Sequence, residues 1–419
     1  MQPISKDNTG YYAALLYLAW PLLAMVSAFK NFREPWAKNV FWAFCAFYGF
    51  TFAISAESAG SDIVRYISRL EMMHARGFSL ESTISYFAES GDIDVFNTAL
   101  TFLISLFTDS QAIYTMVIGL IFGFFFSRNV WYVLDRLEGK LHMMTVLLLV
   151  IFMLVNPIWN ITGVRMWTAV HIFIYGLLPY LVEGKKKGLL IASLSILVHF
   201  SMIVPVMVMF AYMLAGNRVT IYFGFFLLTF FISEIDLAAF NNIIESYAPE
   251  ILQERTAGYR SETYVENFRE GEMQAGLNWY VVWYGAALKW SVLIFLVLMF
   301  IRKGDLANNK GYLNLFAFTL LVYGIMNLFS SLPSGSRFLV IANLCAICTF
   351  LLYIQNLDLE SRIQKLVYLT LPALFLFVLV SLRMGFYSLS AAAVMGNPIV
   401  ALFTAGENIS MNDLLRMII

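Results

Sequence analysis

Apolar residues in this chain come in long unbroken runs, not in the stripes or alternation of half-buried elements. The runs are Tyr11–Phe29, Val40–Ser55, Ala112–Leu134, Met143–Trp159, Met166–Val182, Val219–Ile235, Trp279–Ile301, Tyr312–Leu332, Phe338–Ile354 and Leu366–Leu382. Most have the roughly 17–25 residues with which a helix crosses a hydrocarbon core. Helices are the spanning solution such runs predict, because a backbone polar group left unpaired in lipid is costly. Three stretches fit less simply. Val95–Phe107 is short and predicts an interfacial or re-entrant helix. Gly188–Leu214 is long for one span and short for two, and His199, Ser201 and Pro205 interrupt it. It predicts two short helices meeting near His199. Phe386–Phe403 is apolar but broken by Gly396, Asn397 and Pro398. The expected fold class is an all-α polytopic membrane protein, a single integral membrane domain over residues 1–419 with about 10–13 transmembrane helices and re-entrant segments.

Composition agrees. The chain is 60% hydrophobic and 13% charged, against about 25% charge in a soluble protein. Its formal net charge is zero, which gives no electrostatic reason to expect nucleic acid. Cys45, Cys345 and Cys348 lie inside apolar runs and form no disulfide framework. Cys345 and Cys348 read as small packing residues in a membrane helix. The first apolar run is too long for a cleavable signal peptide and lacks an A-x-A-like exit, so it is expected to stay as a membrane helix.

Charge orients the chain. Short cytoplasmic loops are enriched in Lys and Arg. The groups Lys30-Arg33-Lys38, Arg128-Arg136-Lys140, Lys185-Lys186-Lys187, Arg302-Lys303-Lys310 and Arg362-Lys365 fall on one side if Val95–Phe107 is re-entrant and Gly188–Leu214 is a bent pair. The other side receives two long loops, Ala56–Asp94 and Asn241–Leu277, both rich in carboxylates. No tandem repeat supports an inverted-repeat transporter.

Several arginines stay on that outer side against the bias: Arg65, Arg69, Arg165, Arg337 and Arg383. A single arginine at a membrane boundary often only snorkels to headgroups. Several converging on one face suit a lipid-linked diphosphate, since the guanidinium fork pairs bidentately with phosphate. In Asn156-Pro157-Ile158-Trp159-Asn160-Ile161-Thr162-Gly163-Val164-Arg165 a polar break opens a helix. Arg165 therefore sits near a helix N-terminus, where backbone N–H groups add positive potential. Ser331-Leu332-Pro333-Ser334-Gly335-Ser336-Arg337 repeats that logic, and the two arginines together read as a pyrophosphate cradle. His199 is the histidine deep in an apolar run. It is either satisfied by a carbonyl freed at the bend or a functional group, and histidine is the commonest general base near neutral pH. Asp62, Arg65, Tyr66 and Arg69 share one face of an amphipathic helix at i, i+3, i+4, i+7. That face is either a salt-bridged solvated surface or the polar wall of a sugar site, with Tyr66 as stacking ring. In the second loop Tyr247, Tyr259, Tyr264 and Phe268 stand among carboxylates, and Glu262, Glu266 and Glu270 share a helix face. No H-E-x-x-H or clustered Cys/His signals a metal, and no cofactor motif is read.

The order of these short motifs resembles a known family. Ser61-Asp62-Ile63-Val64-Arg65-Tyr66 follows the second membrane run. Arg165-Met166-Trp167-Thr168-Ala169 opens a later helix. After a Lys-rich turn comes Leu197-Val198-His199-Phe200-Ser201, then Ser336-Arg337-Phe338. From about Ser61 to Phe338 the chain resembles the EpsG-like branch of Wzy-type polysaccharide polymerases. The resemblance implies a bacterial inner-membrane enzyme of GT-C-type fold. It would polymerise undecaprenyl-diphosphate-linked oligosaccharide repeat units on the periplasmic face, with membrane lipid and a chain-length regulator protein as further partners. It places Arg165, His199 and Arg337 on the family's polar signature positions, and Asp62, Arg65 and Tyr66 on its outer-loop one. Arg165 and Arg337 are expected to stabilise the leaving diphosphate without a metal, with Arg65, Tyr66, Arg69 and Arg383 around the substrate. His199 is the first choice for the base and Asp62 the alternative. An O-antigen ligase is the nearest enzyme alternative, and a lipid-linked oligosaccharide flippase the nearest transporter.

Overall fold

The structure, a computed structural model, describes residues 9–54, 62–77, 95–232, 245–246, 253, 278–330, 335–356, 361–404 and 408–418. Most of the loop Ala56–Asp94 and nearly all of Asn241–Leu277 lie outside them, including Tyr247, Tyr259, Tyr264, Phe268, Glu262, Glu266 and Glu270. Every described regular element is a helix, and the one extended pairing is the Ser390–Ser410 bridge. The protein is an all-α polytopic membrane protein. Among the described residues, five helical stretches are long and apolar enough to cross a membrane: Gln111–Leu134, Met143–Glu183, Trp279–Ile301, Lys310–Phe329 and Gly335–Gln355.

In chain order the helices are α1 (Thr9–Ala19), α2 (Pro21–Lys30), α3 (Ala37–Phe50), α4 (Asp62–Arg76), α5 (Val95–Ser105), α6 (Gln111–Leu134), α7 (Met143–Val155), α8 (Val164–Glu183), α9 (Lys187–Val198), α10 (Ile203–Ala215) and α11 (Val219–Phe230). They continue as α12 (Trp279–Ile301), α13 (Lys303–Ala307), α14 (Lys310–Phe329), α15 (Leu339–Asn356), α16 (Ser361–Leu369), α17 (Leu371–Gly385), α18 (Ala391–Met395), α19 (Pro398–Thr404) and α20 (Met411–Ile418). Short 3-10 turns cover Ile158–Gly163, Phe200–Met202 and Gly335–Phe338.

The first apolar run differs from expectation. Tyr11–Phe29 does not form one span: Trp20 is extended and Pro21 opens a new helix. Proline lacks the N–H that would continue the ladder, and its ring disfavours helix in the residue before it. The chain turns back there. Trp36 Nε1 donates to Thr9 Oγ1 at 3.2 Å, so the start of α1 lies beside the residues that follow α2. The stretch Met143–Glu183 likewise contains a reversal, at Asn156–Gly163. Thr145 near its start bonds Gln355, and Glu183 at its end pairs with Arg136. Gly188–Leu214 does resolve into two helices, α9 and α10, joined at His199.

Helices neighbour one another closely where glycine permits. A Cβ on Gly311 would run into the Val182 carbonyl, and one on Gly119 would lie 2.5 Å from the Cys45 carbonyl oxygen. Small residues serve this purpose in membrane bundles, where packing and polar contacts replace the hydrophobic drive.

One end of the bundle gathers the basic turns. Arg33 bonds the Gly139 carbonyl, Arg128 reaches Asn39 at 2.8 Å, and Arg136 and Lys185 share Glu183. Asn314 Nδ2 donates to the Leu181 carbonyl at 3.1 Å, and Lys303 to Thr220 at 3.3 Å. From this basic end α8 runs backwards to Val164, and α14 and α12 run to Phe329 and Trp279. The residues of interest therefore collect at the far end.

Candidate functional site

At the far end α4 lies on the bundle by its apolar face. Ile63, Tyr66, Ile67 and Leu70 are buried at i, i+3, i+4, i+7. α5 shows the opposite arrangement. Its buried residues are mostly polar, namely Asn97, Thr98, Thr101 and Ser105, while Leu103 and Phe107 are exposed. These polar groups are turned toward α4 and α6. Tyr114, on the second turn of α6, ties this face together: its hydroxyl donates to Asn97 Oδ1 at 3.2 Å and lies 2.9 Å from Thr101 Oγ1. Arg69 Nη1 reaches Thr98 Oγ1 at 3.4 Å, which joins α4 to α5. His74 Nδ1 lies 2.6 Å from the Ser105 carbonyl and clamps the last turns of both helices.

Arg165 is the second residue of α8, directly after the 3-10 turn. That turn is fixed by buried amides. Asn156 Nδ2 donates to the Trp167 carbonyl at 3.0 Å, Asn160 Nδ2 to Asn156 Oδ1 at 2.9 Å, and the Asn156 carbonyl lies 3.0 Å from His171 Nε2. Asn129 Nδ2 stands 3.3 Å from His171 Nδ1. With an amide N–H donating to Nδ1, the His171 proton sits on Nε2 and donates to Asn156. His171 is thus a satisfied packing group that holds the start of α8. The Arg165 guanidinium lies over the Tyr66 ring, 5.7 Å from its centroid.

The two ends of the sequence motif thus meet: Asp62, Arg65, Tyr66 and Arg165 form one cluster. Asp62 and Arg65 are ion-paired on the exposed side of α4. Tyr66 is 5% exposed and its hydroxyl finds no hydrogen-bond partner of normal geometry. Burial pushes its phenol above the ordinary value, the positive charges of Arg165 and Arg65 oppose that rise, and Asp62 adds to it. Among the described residues five further enclosed atoms have no hydrogen bond: Asn97 Nδ2 and Thr168 Oγ1 at this end, the latter one turn beyond Arg165, and Asn129 Oδ1, Asn327 Oδ1 and Asn412 Nδ2.

His199 joins from the other side. Ser201 Oγ lies 2.7 Å from His199 Nδ1 and 3.3 Å from the sulfur of Met166, the residue after Arg165. The Ser201 backbone N–H donates to the same Nδ1 at 3.2 Å. Nδ1 is therefore the acceptor, and in the neutral ring the proton is on Nε2.

Arg337 and Arg383 lie at this end, apart from the Arg165 cluster. Arg337 is exposed on the turn before α15, where Phe329 and Phe338 pack at 5.7 Å. Among the described residues no hydrogen bond or ion pair joins it to the Arg165 cluster. Arg383 bonds the Tyr280 hydroxyl and lies over that ring. Two residues beyond Arg383, Gly385 is packed on Trp159, which belongs to the turn before Arg165. Ser331 to Ser334 of the second arginine motif lie outside the described residues.

Sequence reasoning passed over Asn97, Thr101 and Thr168. The polar stripe Asn97-x-x-x-Thr101-x-x-x-Ser105 was their available signal. It also passed over Lys289, an ionisable residue inside the run Trp279–Ile301, whose ammonium lies 4.8 Å from the centroid of Phe230.

The chain belongs to the EpsG family, whose model matches residues 15–391. Neither a curated protein nor a solved structure matches it. Membership assigns it, at the coarse level, to polysaccharide biosynthesis as a membrane glycosyltransferase-like polymerase.

Proposed function

We propose that this EpsG-family protein joins oligosaccharide repeat units carried on undecaprenyl diphosphate, on the periplasmic face of the bacterial inner membrane. The observation that carries the reading is the enclosed contact between Tyr66 and Arg165 at the end of the bundle opposite the basic turns. In this reading the basic end faces the cytoplasm, by the usual bias of lysine and arginine.

The acceptor sugar hydroxyl attacks C1 of the donor sugar. The bond from C1 to the diphosphate oxygen breaks, its electron pair leaves with the lipid diphosphate, and the hydroxyl proton passes to a base. Negative charge therefore grows on the diphosphate in the transition state. Arg165 is fixed at a helix N-terminus by buried amides, so its charge and the helix dipole are in place before reaction. The Thr168 hydroxyl and the Asn97 Nδ2 amide supply hydrogen-bonding groups with no protein partner to give up, and the Tyr66 hydroxyl is offered beside the Arg165 guanidinium. The arginines take the part a metal plays in other phosphate chemistry. Arg337, exposed at the same end, reaches the diphosphate from the far side, and Arg65 and Arg69 line the entry on α4.

The His199 tautomer shapes the proton path. Its Nδ1 is held by Ser201, so in the neutral ring the proton is on Nε2. As a base it works through Ser201: the hydroxyl gives its proton to Nδ1 and takes one from the acceptor. Asp62 is the alternative base, and it must first leave Arg65. Ser201→Ala separates the two. It slows transfer through a His199 relay and leaves an Asp62 path at its full rate. The reading as a whole is tested by incubating purified protein with the lipid-linked repeat unit in EDTA and resolving products by length. A ladder supports it. Intact lipid-linked substrate with folded protein speaks for ligation or flipping instead.

A further inference from the structure

A groove of about 660 Å³ runs between α12 and α17, lined by Trp279, Trp283, Trp290, Pro372, Phe375 and Leu379 among others. Its walls are almost wholly apolar and open to the bundle exterior. At its far end stands Arg383, exposed, bonded to the Tyr280 hydroxyl. The groove thus has the polarity of a lipid: a long apolar body and a cationic mouth at headgroup depth.

The tryptophans argue that the groove is more than bundle surface. Tryptophan at a membrane boundary is ordinarily an interfacial anchor. That accounts for Trp279, the first residue of α12. Trp290 lies eleven residues further along α12, about 16 Å deeper at 1.5 Å per residue. At that depth no headgroup is present, and the ring is half exposed. A flat ring there makes a rigid wall for an unbranched, unsaturated chain. At about 30 Å³ per water-sized group the groove takes roughly twenty carbon atoms, a chain of about four isoprene units.

The mouth also leads to the reaction site. Gly385, two residues beyond Arg383, packs on Trp159 in the turn that presents Arg165. Joining two lipid-linked units requires seats for two carriers. The leaving diphosphate belongs with Arg165 and the enclosed Tyr66, where charge stabilisation is strong. Arg383 is exposed and suits the holding of a diphosphate that stays intact.

We infer that the α12–α17 groove binds the isoprenoid tail of the second lipid carrier, with Arg383 on its diphosphate. This rests on the proposed polymerase reading for the carrier's role, but the binding itself is measurable without turnover. The experiment uses the full chain in nanodiscs, labelled with a photoreactive polyprenyl diphosphate. Label falls on α12 and α17, and excess polyprenyl phosphate displaces it while excess phosphatidylglycerol does not. Ala373→Phe fills the groove and lowers labelling at least roughly tenfold. Arg383→Gln, a surface change that leaves packing intact, weakens the diphosphate probe roughly tenfold and a polyprenyl alcohol probe not at all. Label near the Arg165 site belongs to the donor seat; absence of label on α12 and α17, equal displacement by phosphatidylglycerol, or indifference to both substitutions overturns the inference. Specific labelling without polymerisation would keep the groove and sink the polymerase reading.

Discussion

The two ends of this bundle are built from the same residue types and differ in how completely their polar groups are used. At the basic end nearly every described polar group has found a protein partner. Gln355 donates to the Glu138 and Lys140 carbonyls and accepts from Thr145. Tyr212, Asn217 and Asn314 bond one another and the Leu181 carbonyl. Arg136 and Lys185 share the Glu183 carboxylate. At the far end Asn97 and Thr168 each keep an enclosed polar atom without a hydrogen bond and the Tyr66 hydroxyl meets only Arg165, while elsewhere Asn129, Asn327 and Asn412 keep one such atom each. An unsatisfied buried group costs about 1–3 kcal/mol.

Substitutions can break that contrast, and the largest effect belongs to Arg165. Arg165→Ala should lower kcat by about 10²–10³, the scale of losing one preorganised donor to developing charge, with normal protein levels. Wild-type turnover in that variant removes the cradle from the account. At the basic end Gln355→Leu strands the Glu138 and Lys140 carbonyls and the Thr145 hydroxyl. It should destabilise the protein by about 1–3 kcal/mol, seen as a lower Tm in detergent, with KM unchanged. Tyr66→Phe has the opposite signature. It removes the buried hydroxyl, so Tm should hold or rise by the equivalent of about 1 kcal/mol while kcat/KM falls roughly tenfold. A Tyr66→Phe variant that melts early would mean the hydroxyl is structural. The smallest change is expected from Arg65→Ala. Its pair with Asp62 is exposed, and such pairs contribute about 0–1 kcal/mol, so Tm should not move and any rise in KM reports substrate contact.

Much of the fold was legible because membrane spans are long and uniform. Trp279–Ile301 is both an apolar run and α12, and Ala112–Leu134 is α6 short of its first residue. The reversal at His199 was readable from the length of Gly188–Leu214 and its interruption by His199, Ser201 and Pro205. The reversal at Trp20 was not, since a single Pro21 in the middle of a long run is compatible with a kinked span as well as with a turn. The site was legible in its charged residues, because an arginine on the wrong side of a membrane stands out. Its uncharged lining was not. Asn97 and Thr168 carry no charge, and threonine and asparagine in apolar runs usually satisfy themselves locally, as Thr115 and Thr319 do here through carbonyls one turn back. The meeting of Tyr66 with Arg165 is a tertiary fact that no local pattern encodes. The tautomer of His199 depends on the backbone N–H of Ser201, which appears only once the bend has formed.

The central claim is that the far end of the bundle transfers sugar from a lipid diphosphate by fixed positive charge. The most direct test compares wild type and Arg165→Ala, purified and folded, on the cognate lipid-linked repeat unit in EDTA. The account predicts a product ladder from the wild type and at least roughly a hundredfold slower growth in the variant. No ladder from the wild type in EDTA, with one restored by added divalent metal, would contradict it, as would equal ladders from the two proteins.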